Sequence, residues 1–410
     1  MRASAGAEGT AGDRVAVIDL WRGFALIGVC VVNFIHTNDD FLSRAQAALL
    51  PTFDLDWKTN RLVELFLANK SNTIFTLLFG IGMAILIERA QRGGTAPERL
   101  IARRMVVLFG IGIVHLLLFP GELLHVYGIC GILLLALRRV PSPWLFALGA
   151  TLAIFPRWIY GEWAFISAHL AIPHSVALEN TTARVGPLTA DERYALIHGG
   201  SVPGLLKANV AFALESFHDP GRKILQGLYF FGRMLLGFAF WRSGLAQRLF
   251  AVELRRLLPW LAGLLLVAGV LTASTLLDPG EEDSGRRFVM AGLRQVQIPA
   301  LAALYLLGLL VLSKLTLFRP LMGPICAVGR MTLTNYVLQS LAMSLIFYGP
   351  GLRLAGDIGP TVTGAMALGI YLAQVCFSVL WLRRAPQGPV EWAWRRIANP
   401  PARRAAQATA

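Results

Sequence analysis

The sequence predicts an all-α fold: a polytopic transmembrane helical bundle of about ten spans with both termini in the cytoplasm. Three observations predict it. Of the 410 residues, 55% are hydrophobic and only 15% charged, against roughly 25% charged in soluble domains. Mean hydropathy is +0.58. The apolar residues also fall in runs of about 15–25, the length that carries a helix through a hydrocarbon core roughly 30 Å thick. A soluble surface of this size could not be covered with so few charges, which excludes a soluble domain.

The apolar runs occupy residues 15–35, 74–87, 105–119, 123–137, 143–155, 224–240, 257–277, 298–312, 331–348 and 362–381. The loops between them alternate in charge. Arg2 and Arg14 precede the first run, and Arg89, Arg92, Arg99, Arg103 and Arg104 follow the second. Arg138 and Arg139, then Arg242, Arg248, Arg255 and Arg256, then Lys314 and Arg319, and finally Arg383, Arg384, Arg395 and Arg396 occupy the later even-numbered loops and the tail. The intervening loops hold Asp39, Asp40, Asp54 and Asp56, then Pro120-Gly121-Glu122, then Asp278, Glu281, Glu282 and Asp283. Arginine-rich loops face the cytoplasm, so ten spans with both ends inside satisfy the rule at every cytoplasmic loop. The net charge of +14 has the same origin, and no nucleic acid is expected as a partner because no binding motif accompanies it.

The chain therefore divides into a disordered N-terminus (1–14), helices 1–5 (15–156), an extracytoplasmic insertion (157–222), helices 6–10 (223–384) and an amphipathic cytoplasmic tail (385–410). Residues 1–14 lack the features of a signal peptide, so the first run is expected to remain as a span. Within the insertion lie His169, His174, His198 and His218, without ligand spacing, and Thr189-Ala-Asp-Glu192 has the spacing of a capping box that starts a short helix. In the tail, 390–397 mixes Trp with Arg, as an interfacial helix does. Cys30, Cys130, Cys326 and Cys376 each sit in an apolar run and read as packing residues, and no metal site is expected.

Polar groups inside a membrane are costly, so each is a candidate. In the first span Asp19, Arg22, Asn33 and His36 share an arc of about 100° and cover roughly 25 Å of depth. That face must look into protein or a hydrated cavity. The plainer reading makes Asp19 and Arg22 an interfacial ion pair and Asn33 an interhelical hydrogen bond. His115, Glu122 and His125 flank a predicted hairpin tip at Pro120-Gly121, and the Glu122–His125 spacing of three suits a carboxylate that orients an imidazole. The alternative is a pair of wetted interfacial histidines. In the ninth span Thr332, Asn335, Tyr336 and Gln339 follow i, i+3, i+4, i+7 spacing, a candidate substrate-binding face. Arg22, Arg233, Arg294 and Arg330 are candidate anion-binding cations, or caps on neighbouring helices.

The string Val17-Ile-Asp-Leu-Trp-Arg-Gly-Phe-Ala-Leu-Ile-Gly28 with Asn33 resembles the opening of the YeiB-like bacterial membrane proteins, a family without an assigned function. Phe75-Thr-Leu-Leu-Phe-Gly-Ile-Gly82, Arg103-Arg104, His115 and the 122–128 turn are similar to its second to fourth spans. Gly329-Arg-Met-Thr-Leu-Thr-Asn-Tyr-Val-Leu-Gln-Ser340, Phe347-Tyr348-Gly349 and Gly388-Pro-Val-Glu-Trp-Ala-Trp394 resemble its C-terminal part. That family resembles, more distantly, integral-membrane acyltransferases such as heparan-glucosaminide N-acetyltransferase and bacterial sugar O-acyltransferases. Their first span carries Arg-Gly followed eleven residues after the Arg by His or Asn. Arg22-Gly23 and Asn33 match that spacing, but Asn33 cannot act as a base.

The resemblance implies an acyltransferase of the bacterial inner membrane that moves an acyl group from cytoplasmic acyl-CoA, such as acetyl-CoA, to an extracytoplasmic glycan, lipid or small molecule. In that reading His115 or His36 takes the proton, with His125 and Glu122 orienting and Asn33 holding the thioester carbonyl. Arg22, Arg233, Arg294 and Arg330 bind the anionic co-substrate, and Asn335, Tyr336 and Gln339 the acceptor. Membrane lipids are the other expected partners, and a homodimer is an allowed assembly. A small-molecule transporter or exporter, with the polar stripe as its path, is the alternative.

Overall fold

A computed structural model describes residues 2–39, 41–42, 44–92, 97–162, 188–215, 220–276 and 284–398. Among these residues the chain is helical, with no strand. Each of the ten apolar runs falls mostly within one helix: α1 (Arg2–Asp39), α4 (Lys70–Arg92), α5 (Pro97–His115), α6 (Leu124–Ala136), α7 (Ser142–Gly161), α10 (Pro220–Arg242), α12 (Leu254–Leu276), α13 (Ser284–Ser313), α15 (Thr332–Phe347) and α16 (Pro360–Leu382). Shorter helices fill the connections: α2 (Arg44–Leu49), α3 (Phe53–Phe66), α8 (Ala190–His198), α9 (Val202–Glu215), α11 (Leu245–Ala251), α14 (Arg319–Arg330) and the tail helix α17 (Pro389–Ala398).

Six segments among the described residues are long and apolar enough to cross a membrane: 16–39, 53–92, 223–242, 254–276, 285–313 and 360–382. The remaining four runs belong to α5, α6, α7 and α15, of which α6 has 13 residues and α15 has 16. A straight helix needs about 20 residues for a full crossing. Among the described residues the chain is thus a helical bundle of membrane-protein character, with six segments that meet the length and composition of a span where the sequence predicts ten.

Burial separates centre from periphery. In the spanning window of α1, 67% of residues are buried, against 11% in α12. Leu258, Trp260, Leu265, Leu266 and Val270 of α12 face outward, as residues against lipid tails do. Helix α1 is the axle of the bundle, in contact with α3, α4, α13, α14, α15 and α16. Trp21 Nε1 donates to the Leu306 carbonyl at 3.0 Å, and the Tyr371 hydroxyl donates to the Gly23 carbonyl at 2.9 Å. Small residues permit this closeness: a Cβ on Gly23 would overlap the Ile325 carbonyl of α14, and one on Gly329 the Asp19 carbonyl. Gly80 and Gly237 do the same between α4 and α10.

Several expectations resolve here. The capping box at Thr189 forms: its side chain accepts from Glu192 N, and Glu192 reaches back to Thr189 N at 2.8 Å. The tail sequence 390–397 is helical, as predicted. Helix α1 starts at Arg2 and so includes residues 2–14. All four cysteines are free, with Cys30 and Cys130 buried and Cys376 exposed instead of packed. Residues 163–187, 216–219 and 277–283 lie outside the described residues, and with them His169, His174 and His218 and the acidic run at 278–283.

Candidate functional site

A cavity of about 670 Å³ runs along one face of α1. Asp19, Arg22, Asn33 and His36 all line it, so the polar stripe meets a hollow rather than lipid. Spaced over 17 residues of one helix, they cover roughly 25 Å of its length. The opposite wall comes from α4 (Phe75, Leu78, Phe79, Met83, Leu86), α5 (Met105, Leu108) and α15 (Leu333, Tyr336). The middle of the cavity is therefore apolar.

Cations crowd one end. Arg22, Arg89, Arg104, Arg330 and Arg395 all line the cavity there, and Arg22 pairs with Asp19 at 3.3 Å. The tail covers this mouth. Glu391, buried on α17, accepts the amides of Leu333 at 2.7 Å and Thr334 at 3.0 Å, and also the Thr334 hydroxyl. A carboxylate at a helix N-terminus satisfies its open amides and its dipole, so Glu391 locks α17 onto the start of α15. Trp394 Nε1 donates to the Arg104 carbonyl at 3.0 Å and Arg330 to the Pro386 carbonyl at 3.2 Å.

The other end is polar and largely uncharged. Asn33, His36, Asn69, Ser71, Asn72 and Tyr127 line it. His36 Nε2 sits 2.8 Å from Glu64 Oε1 of α3. Asn69 turns the chain from α3 into α4 with φ of 64°, a left-handed conformation that asparagine tolerates better than most residues. Tyr127 donates to Asn72 Oδ1 at 3.3 Å.

The hairpin cluster forms but stands behind the wall. Glu122 Oε2 is 3.1 Å from His125 Nδ1, and Glu122 Oε1 is 3.6 Å from His115 Nδ1. The same carboxylate accepts the amides of Leu124 and His125, which makes it the cap of α6. All three side chains are buried, and none lines the cavity. Among the described residues neither ring nitrogen of His115 has a hydrogen-bond partner. Its ring lies 5.2 Å from that of Tyr336, which does face the cavity.

The polar face of α15 divides. Thr332 and Tyr336 line the cavity, whereas Asn335 donates to Ser378 Oγ at 2.9 Å and Gln339 to Gln374 Oε1 at 2.9 Å, both on α16. Four residues within an arc of about 100° can straddle two neighbours. Of the candidate cations, Arg22 and Arg330 reach the cavity. Arg233 is 2% exposed, stacked 3.6 Å above the Tyr229 ring, and lies outside it. Arg294 lines a second pocket. Sequence reasoning missed Glu64, Asn69, Asn72, Arg395 and Glu391. The run Asn69-Lys-Ser-Asn72, polar directly ahead of an apolar span, was the available signal.

Residues 240–400 match the family described as "Protein of unknown function (DUF418)". The chain is 27% identical to the uncharacterized protein YxaH of Bacillus subtilis (strain 168) over 93% of its own length and 94% of that protein. It is 29% identical to the uncharacterized protein YeiB of Escherichia coli (strain K12), over 94% of its length and 96% of that protein. An uncharacterized 39.9 kDa protein in the amylase 3' region of Bacillus acidopullulyticus matches at 27% over 94% of both chains. No solved structure matches the chain. With one family match across its C-terminal part and bacterial relatives along nearly all of its length, the chain carries the YeiB-like resemblance that its motifs predict.

Proposed function

We propose that the protein is an integral-membrane acyltransferase of the bacterial inner membrane, with ten spans, both termini cytoplasmic, and acyl-CoA as co-substrate. The observation that carries this reading is the cavity itself: arginines at one mouth, an apolar middle, and Asn33 and His36 at the far end. Arginine recognises phosphate and pyrophosphate through its planar fork, so Arg22, Arg89, Arg104, Arg330 and Arg395 suit the nucleotide end of the co-substrate. The apolar middle accepts its pantetheine arm and acyl chain. The thioester then reaches the Asn33/His36 level.

His36 is the general base in this mechanism. Glu64, 2.8 Å from its Nε2, orients the imidazole and supports its basicity. The acceptor hydroxyl or amine attacks the thioester carbonyl while His36 takes its proton. The Asn33 amide donates to the oxyanion that develops. Collapse expels the CoA thiolate, which recovers the proton from His36, and the acyl group stays on the acceptor. The buried Glu122–His125 pair and His115 hold the hairpin and Tyr336 against this chamber and act as positioning residues.

The test is release of free CoA by the purified protein in proteoliposomes supplied with acetyl-CoA and longer acyl-CoAs. Binding and turnover that depend on Arg22 and His36 would sustain the reading. A protein that neither binds nor cleaves any acyl-CoA, yet moves a small molecule across the same vesicles, would replace it with transport.

A further inference from the structure

A second pocket, of about 530 Å³, lies at the end of the bundle away from the arginine-rich loops. Four cations converge on it from four separate helices: Arg61 of α3, Lys70 of α4, Arg157 of α7 and Arg294 of α13. Two carboxylates, Glu64 and Glu162, also line it, so two positive charges remain in excess. Among the described residues none of the four cations forms an ion pair with a carboxylate. Lys70 is buried and donates to the Glu64 backbone carbonyl at 2.8 Å, and the Arg157 guanidinium lies 5.5 Å from the centre of the Tyr229 ring.

Arginines scattered over a membrane surface serve as interfacial anchors. These converge on a common hollow, where their mutual repulsion is relieved by an anion. The pocket also asks for a donor: Gln295 Oε1, which lines it, is buried without a hydrogen-bond partner among the described residues. It is wired to the first cavity as well. Asn69 lines both hollows, and Glu64, which lines this one, holds His36, which lines the other.

We infer that this pocket binds a phosphate ester that also carries hydroxyl or amine hydrogens, and that this ligand is the acceptor of the transfer. The word acceptor rests on the reading above, while the anion site rests on the pocket alone. Arg157 and Arg294 grip the phosphate, Gln295 accepts from a hydroxyl or amine, and the reacting group points past Asn69 toward His36. Such a phosphate belongs either to a lipid headgroup or to a soluble phosphorylated metabolite.

The experiment uses the full chain in phosphatidylcholine nanodiscs, with glycerol 3-phosphate as the soluble probe, phosphatidylglycerol as the lipid probe and glycerol as the neutral control. Calorimetry reads the first and native mass spectrometry the second. One of the two phosphates should bind, and the paired change Arg157→Gln with Arg294→Gln should weaken it at least about tenfold. The paired Arg→Lys variant, which keeps charge but not the fork, should fall between. Binding of the soluble probe alone assigns a metabolite, and of phosphatidylglycerol alone a lipid. Neither probe exceeding its neutral control, or equal binding by the glutamine variant, would overturn the site. Acetyl-CoA binding, followed on every preparation, reports folding and separates the two claims. Its presence without phosphate binding strikes the pocket, and arginine-dependent phosphate binding without it keeps the pocket and strikes the transfer.

Discussion

The ring of Tyr336 lies 5.2 Å from that of His115, and of the two only Tyr336 faces the long cavity. In the proposed acyl transfer, this relationship favours His36 over His115 as the base. An imidazole that abstracts a proton must come within hydrogen-bond reach of the acceptor, and His36, paired with Glu64, is the histidine that lines the chamber.

His36→Ala should lower acyl-CoA-dependent turnover by about 10²–10⁴-fold, the usual worth of a general base, with membrane insertion unchanged. His115→Ala should mainly lower thermal stability and change turnover less. A His36→Ala enzyme with near-full transfer activity, measured as CoA release, would refute the assignment.

Glu391→Ala should destabilise the protein by about 1–3 kcal/mol, because it strands the buried amides of Leu333 and Thr334. It should also loosen α17, whose Trp394 and Arg395 line the mouth, and so raise the Kd for acyl-CoA. Glu391→Gln keeps an acceptor oxygen and should lose less on both counts. Thermal unfolding and equilibrium binding in the same detergent read the two effects.

Replacing Arg104 or Arg330 by Gln should weaken acyl-CoA binding by about tenfold each, as expected for one charge-assisted contact. The loss should shrink as salt is raised, since surface-accessible charges are screened beyond about 10 Å at 0.1 M. Binding of an uncharged pantetheine thioester should be unaffected by either change. An equal loss for both ligands would mean that the arginines support the fold and not the nucleotide.

Single cysteines placed at Arg92 and Ser284 in a background lacking the four native ones test the topology. The ten-span arrangement puts the first on the cytoplasmic side and the second outside. A membrane-impermeant thiol reagent should label only Ser284→Cys in intact cells, and both in lysed ones. Labelling of both from the same side would reject it.

Much of the chain was legible without coordinates. The length and spacing of the apolar runs determined the helices, since a helix satisfies its own backbone in hydrocarbon and needs no partner to be recognised. The 3.6-residue period put Asp19, Arg22, Asn33 and His36 on one face, and Thr189 with Glu192 announced a cap three residues apart. Each of these is a property of one segment. The tertiary structure alone decided what the faces meet. Periodicity fixes an angle in a helix's own frame, but the neighbour that fills that angle comes from elsewhere in the chain: Glu64 is 28 residues from His36, and Glu391 is 58 from Leu333. Packing split the α15 face between a cavity and α16, turned His115 behind Tyr336, and gathered Arg61, Lys70, Arg157 and Arg294 from four helices into one pocket. No spacing rule reaches across those distances, because close packing of many side chains at once selects the neighbours.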